Sequence, residues 1–169
     1  AFVHYKHASD LIIDIKKRGG FVIGAAAYPE GHYEADSRND DLSYLKLKAD
    51  VGADFFVTQL CFDACALVDF YEKAYKAGIN VPIATGIMPV LNPRQIIRMS
   101  LLSGCSIPAS LSKIVSRYGE DAEAFKQAGI DYAVGEILAL MENGITSFHL
   151  YVMNKAEETA QILKQSGLA

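Results

Sequence analysis

The side chains able to do chemistry gather where apolar runs end. Val22-Ile23-Gly24-Ala25-Ala26-Ala27 has the length of a strand and stops at Tyr28-Pro29-Glu30-Gly31-His32. Proline cannot donate to a sheet ladder and fixes its own φ, so Pro29 ends the run with Tyr28 and His32 at its C-terminal end. Downstream, Asp41, Tyr44 and Lys48 fall at i, i+3 and i+7, a stripe beside the apolar one of Leu42, Leu45 and Ala49. That stripe is either a solvated face whose Asp and Lys stand too far apart to pair, or a polar wall that clamps a ribityl or phosphate chain. Thr58 and Gln59 interrupt a second apolar run, where an unpartnered glutamine costs about 1 to 3 kcal/mol. Gln59 therefore meets a structural partner or reads a donor/acceptor edge on a heterocycle. Gly86 permits close approach of a ligand or of backbone, and His149 alternates with Phe148 and Leu150 as a core or lining residue. Lys155 opens the last helix against its dipole, which makes it a candidate for holding an anion.

The elements that must position these residues alternate along the chain. Helices are expected at Ala8 to Arg18, Ser37 to Asp50, Ala64 to Ala77, Asn92 to Ser103, Pro108 to Tyr118, Asp121 to Glu142 and Asn154 to Gln165. Ser37 and Asn92 read as N-caps. Pro93 falls at the first helical position and Gln95 at the capping-box position, and Asn154 with Glu157 suggests a second cap of that kind. Strands are expected at Phe21 to Tyr28, Asp54 to Phe62, Val81 to Val90 and Thr146 to Met153. Near-continuous apolar strands separated by amphipathic helices imply a parallel α/β sheet, and such sheets keep ligand sites at the strand C-termini. A leading helix and four strand-helix units, with a helical insertion before the last strand, make half of an eightfold barrel or a small open sheet. The absence of a strand before the first helix reads as the boundary of a fragment.

Composition narrows the function. The 169 residues are one domain or part of one, and 51% apolar with 21% charged residues is a globular balance. No run approaches the roughly 18 apolar residues of a membrane helix, and a net charge of −4 without a basic face argues against nucleic acid. The opening does not read as a signal peptide. Three cysteines, an odd number without metal spacing, suggest a reducing, cytoplasmic setting. No Ser-His-Asp order, glycine-rich phosphate loop or metal-ligand cluster is present, so no metal is expected.

Several spaced motifs together closely resemble the methylenetetrahydrofolate reductase family: Ala26-Ala27-Tyr28-Pro29-Glu30-Gly31-His32, Thr58-Gln59-Leu60-Cys61-Phe62-Asp63, Gly86-Ile87-Met88-Pro89-Val90, Ile107-Pro108 and Phe148-His149-Leu150-Tyr151-Val152-Met153-Asn154-Lys155. Tyr5-x-x-Ala8-Ser9-Asp10-Leu11-Ile12 fits the same family, and the match is collinear along essentially the whole chain. The resemblance implies a TIM (β/α)8 barrel of which this chain is roughly the second half. It also implies FAD, NADH or NADPH as donor in a ping-pong cycle, and reduction of 5,10-methylenetetrahydrofolate to 5-methyltetrahydrofolate.

Carried over by resemblance, Tyr28 and His32 contact FAD with Ala26 beside them, and Asp41 and Lys48 bind its ribityl and phosphate portion. Tyr44 and Leu47 stand where other members carry asparagine and arginine. Gln59 matches a glutamine that contacts folate and nicotinamide, and Gln95 a second folate-contacting glutamine. Lys155 stands where relatives bind folate with arginine, and keeps the charge without the bidentate fork. Met99 stands where some members stack a phenylalanine on substrate. The family's proton-donating glutamate is expected in the missing half, and Glu30 does not replace it. Two alternatives remain: a non-catalytic half-barrel module or subunit completed by a partner chain, and a barrel enzyme that works without flavin. A half barrel would expose two strand edges, so a homo-oligomer or pairing with the missing half is expected.

Overall fold

The computed structural model describes residues 5–169. The chain runs α1 (Ala8–Arg18), β1 (Gly24–Ala27), α2 (Arg38–Asp50), β2 (Phe55–Thr58), α3 (Ala64–Lys76), β3 (Ile83–Ile87), α4 (Pro93–Ser103), α5 (Ala109–Tyr118), α6 (Ala122–Glu142), β4 (Phe148–Leu150) and α7 (Ala156–Ser166). The four strands lie in chain order, each parallel to the next, with Ala27 opposite Thr58 and Gly86 opposite His149. Among the described residues no helix is long and apolar enough to cross a membrane.

Helix starts follow their caps. The Ser37 hydroxyl accepts from the Asp40 N–H at 3.2 Å, Asn92 Oδ1 from the Gln95 N–H at 2.9 Å and Asp121 Oδ1 from the Ala124 N–H at 3.0 Å. Gln95 departs from the capping-box expectation, because its Oε1 accepts from the Leu91 N–H at 3.0 Å, one residue before the cap. The strands are shorter than the apolar runs. Phe21 and Val22 precede β1 and are exposed, whereas Leu60 to Phe62 and Met88 to Val90 leave the ladder to bury among α4, α5 and α6. The last helix also starts later than expected. Met153 and Asn154 take φ of 47° and 61°, so Asn154 belongs to a turn and Lys155 occupies the N-cap without a side-chain hydrogen bond.

The sheet is clothed on one face. Ala25, Ala27, Phe56 and Ile83 pack with α1, α2 and α3, while Ile87, Phe148 and Leu150 pack with α3, α6 and α7. Alternate residues point the other way. On that face Gly24, Ala26 and His149 are exposed, and Phe55, Val57 and Ala84 are half-buried. Along the strands themselves this second face carries no packed helix among the described residues, whereas the segments beyond the ends of β2 and β3 run under α4, α5 and α6.

Candidate functional site

At the end of β1, a turn closed by the Gly31 N–H on the Tyr28 carbonyl at 3.0 Å sets Tyr28 and His32 edge to face, with ring centroids 4.6 Å apart. His32 Nδ1 accepts from the Glu34 N–H at 3.2 Å. Asp41 from α2 is only 8% exposed, and burial raises its pKa against the pull of the Lys48 ammonium and of His32. Burial lowers the pKa of Lys48, with Asp41 opposing. The i and i+7 positions thus sense one another in a low-dielectric corner, although spacing alone sets them too far apart to pair. Lys48 Nζ donates to the Ala26 carbonyl at 2.5 Å and lies 5.7 Å from the Tyr28 ring centre. The Ile23 carbonyl accepts from the Asp54 N–H at 2.8 Å and the Ala27 carbonyl from the Gln59 N–H at 2.7 Å, the residues flanking β2, so the Ala26 carbonyl faces the free edge of β1 and Lys48 caps it there. Tyr44 stands apart, 56% exposed.

One strand over, Gln59 turns its Oε1 to the Leu60 N–H at 3.0 Å, leaving its amide N–H groups without a partner among the described residues. Thr58 is wholly structural: its hydroxyl accepts from the Gly86 N–H at 2.8 Å, and its carbonyl accepts from the Tyr151 hydroxyl at 3.0 Å. Gly86 is required there, because a Cβ would lie 2.4 Å from the Thr58 carbonyl oxygen and 2.6 Å from the Tyr151 ring. The close approach at Gly86 is thus made by backbone and Tyr151. His149 is exposed and packs edge to face on Tyr151, with centroids 4.7 Å apart.

The third group forms a groove of about 460 Å³ between the start of α4 and the β4–α7 turn. Gln95, Met99 and Lys155 line it together, with Met153, Leu91 and Leu102 supplying apolar wall. Across the rim, the Glu30 carboxylate accepts from the Ser106 N–H at 3.1 and 3.2 Å, tying the β1–α2 loop to the α4–α5 loop. Sequence reasoning passed over Arg94 and Arg98, which border the same groove. Their signal was legible, since 94, 95, 98 and 99 share one helical face. It also passed over Glu136, 6% exposed on α6, whose Oε1 has no hydrogen-bond partner among the described residues.

Comparison with known proteins gives one consistent result. The sequence model of the family described as methylenetetrahydrofolate reductase matches residues 2–167. The 5,10-methylenetetrahydrofolate reductase of Escherichia coli is 36% identical over 162 residues, covering 96% of this chain and 55% of that protein. Methylenetetrahydrofolate reductase (NADH) 1 of Arabidopsis thaliana is 38% identical over 172 residues, covering 95% of this chain and 29% of that protein. The chain thus spans about half the length of the bacterial relative and less than a third of the plant one. Among solved structures, an uncharacterized Clostridium thermocellum protein described as binding two copies of 5-methyl-5,6,7,8-tetrahydrofolic acid shares the fold, with a TM-score of 0.66 at 23% identity over 95% of this chain and 58% of that one.

Proposed function

The chain belongs to the methylenetetrahydrofolate reductase family, and from that membership we propose that it is part of a flavin-dependent reductase that converts 5,10-methylenetetrahydrofolate to 5-methyltetrahydrofolate with NADH or NADPH. In this reading it supplies the second half of a (β/α)8 barrel in the cytoplasm. The observation that carries it is convergence: Tyr28, His32, Asp41 and Lys48 gather at the end of β1, Gln59 follows β2, and Gln95, Met99 and Lys155 share one groove beyond β3 and β4. Residues from distant stretches of sequence therefore lie beyond the C-terminal ends of successive strands of one sheet. That the Clostridium protein binds a reduced folate adds support for the substrate class.

The donor set at β1 fits a flavin's polyhydroxyl chain and phosphates. A partly desolvated carboxylate accepts hydroxyl protons, and the Lys48 ammonium, with one donor given to Ala26, keeps two for oxygen ligands. Asp41 and Lys48 would hold that chain, with Tyr28 and His32 forming the wall beside it. The bound flavin supplies hydride transfer, while the protein supplies orientation and electrostatics. Gln59, with both amide N–H groups unspent, orients a carbonyl on the pterin or the nicotinamide. Gln59→Ala is expected to cut kcat/KM by roughly 10-fold or more for both folate and NAD(P)H, the value of a lost hydrogen bond to a positioned ligand. Unchanged steady-state kinetics would remove that role, and a purified protein without flavin absorption would remove the cofactor. The uncovered sheet face favours one other reading, a binding module or subunit completed by a partner chain. A copurifying polypeptide, and no turnover without it, would select that reading.

A further inference from the structure

Helix α4 is weakly seated. Of its 11 residues only Ile96 is buried, and Ile97, Leu101 and Leu102 are 59%, 82% and 71% exposed. A helix that buries so little apolar surface depends on what ties its ends. At its start Gln95 bonds the Leu91 N–H at 3.0 Å and the Pro89 carbonyl at 3.4 Å. Just past its end the tie is Glu30, whose two carboxylate oxygens share the Ser106 N–H at 3.1 and 3.2 Å. Ser106 is coupled back to the helix through its neighbours, because Cys105 is buried and the Ser103 hydroxyl reaches the Cys105 sulfur at 3.1 Å and the Met99 carbonyl at 2.6 Å. The other end of the tie is equally defined. Glu30 belongs to the turn closed by the Gly31 N–H on the Tyr28 carbonyl, and Pro29 fixes φ at the position before it. Burial raises the pKa of the Cys61 thiol and the Glu30 charge adds to it, so the carboxylate lies near the residues that follow β2. Among the described residues, the bonds of Glu30 to Ser106 are the only hydrogen bonds that segment 28–36 makes beyond α2.

We propose that Glu30 is a positioning residue that holds the C-terminal half of α4, and with it Met99, in register with Tyr28 and His32 at the end of β1. This rests on the reductase reading and adds to it a part that fixes the folate side of the site against the flavin side. Glu30 transfers no proton in this role. Its carboxylate serves only as acceptor for the Ser106 N–H, a charge-assisted bond that is stronger than a neutral one. A misplacement of about 1 Å between reacting groups costs up to about 100-fold in rate, so a tether between the two sides governs the folate step without touching either ligand.

The test uses Glu30→Ala and Glu30→Gln in the protein as isolated with any chain that copurifies. Glu30 is half-buried and caps no helix, so folding is expected to be unaffected, which a thermal melt checks. Amide hydrogen exchange reads the tie itself. In Glu30→Ala the Ser106 amide is expected to exchange roughly 10-fold faster or more, with the amides of α6 unchanged. The two half-reactions are then timed separately. Reoxidation by 5,10-methylenetetrahydrofolate is expected to slow roughly 10-fold in Glu30→Ala, and reduction by NADH or NADPH to stay within about 2-fold, because Met99 and Gln95 serve folate in this reading. Glu30→Gln keeps an acceptor oxygen for the Ser106 N–H, so it is expected to stay within about 3-fold of the parent with the same pH profile. Equal losses in both half-reactions, or none in either, overturn the positioning role while the reductase reading stands. An unchanged Ser106 exchange rate, or a Gln variant as slow as the Ala variant, overturns it as well. If the unaltered protein carries no flavin and takes no electrons from NADH or NADPH, the reductase reading itself falls, and the positioning role with it.

Discussion

Glu136 is the residue whose chemistry and surroundings agree least. It sits on α6 among Ile130, Ala133, Ile137 and Leu140, and burial, helped by the nearby Asp63 carboxylate, raises its pKa to about 8. The same corner pushes the Cys61 thiol well up and the Tyr132 phenol to about 12, and Tyr132 spends its proton on the Phe62 carbonyl at 2.5 Å. At neutral pH the folded chain therefore holds Glu136 mainly protonated, whereas the unfolded chain ionises it from about pH 4.5 upward. The unfolded state then binds fewer protons, so stability falls as pH rises across that window and the whole penalty is reached above about pH 8. Glu136→Gln keeps the shape and removes the titration. Its stability relative to the parent is expected to improve by about 3–4 kcal/mol between about pH 5 and about pH 8. Urea denaturation at the two pH values checks this, and a parallel pH dependence in both proteins would show that Glu136 is ionised in the fold.

At the scale of elements, α6 carries two glycines of opposite meaning. A Cβ at Gly129 would lie 1.7 Å from the Val90 carbonyl oxygen, so the helix crosses the end of the β3 segment at backbone contact. At Gly135 a Cβ would meet nothing within 4 Å. Gly129→Ala is expected to destabilise by about 2 kcal/mol or more, because backbone must move. Gly135→Ala is expected to stabilise by about 0.5–1 kcal/mol through helix propensity and a less flexible unfolded chain. Opposite shifts in the urea midpoint are the expected result, and shifts of the same sign would mean that α6 does not pack as described. The same helix shows what was readable beforehand. Its apolar period is plain in the sequence, as are the caps Ser37 and Asn92, because helix signals are local. The apolar runs outlast the strands because Leu60 to Phe62 and Met88 to Val90 are apolar from burial and not from pairing. Asn154 misled because the side chain that suits an N-cap also tolerates a left-handed turn. Spacing alone could not bring Gln95 and Lys155 into one groove, since sixty residues of chain separate them and only the order of the strands joins them.

For the whole molecule, the decisive property is that, among the described residues, helices pack on one face of the sheet and leave the other open. Its other face presents Gly24, Ala26 and His149 to solvent, with Phe55, Val57 and Ala84 half-buried. Phe21 and Val22, 63% and 79% exposed, extend the same region beyond the start of β1. Outer edges of parallel sheets offer unpaired N–H and C=O groups, and here only Lys48 on the Ala26 carbonyl blunts the edge of β1 among the described residues. A partly apolar face beside such an edge favours association over exposure. The chain is therefore expected to self-associate or to hold a partner strand, with an apparent mass by light scattering that rises with concentration. Phe21→Lys with Val22→Lys adds like charges beside the β1 edge without touching the core, and should lower that mass at equal concentration. A monomer at every concentration, with sharp and dispersed amide resonances, would show that the open face is stable in water and would remove the expectation of a completing partner.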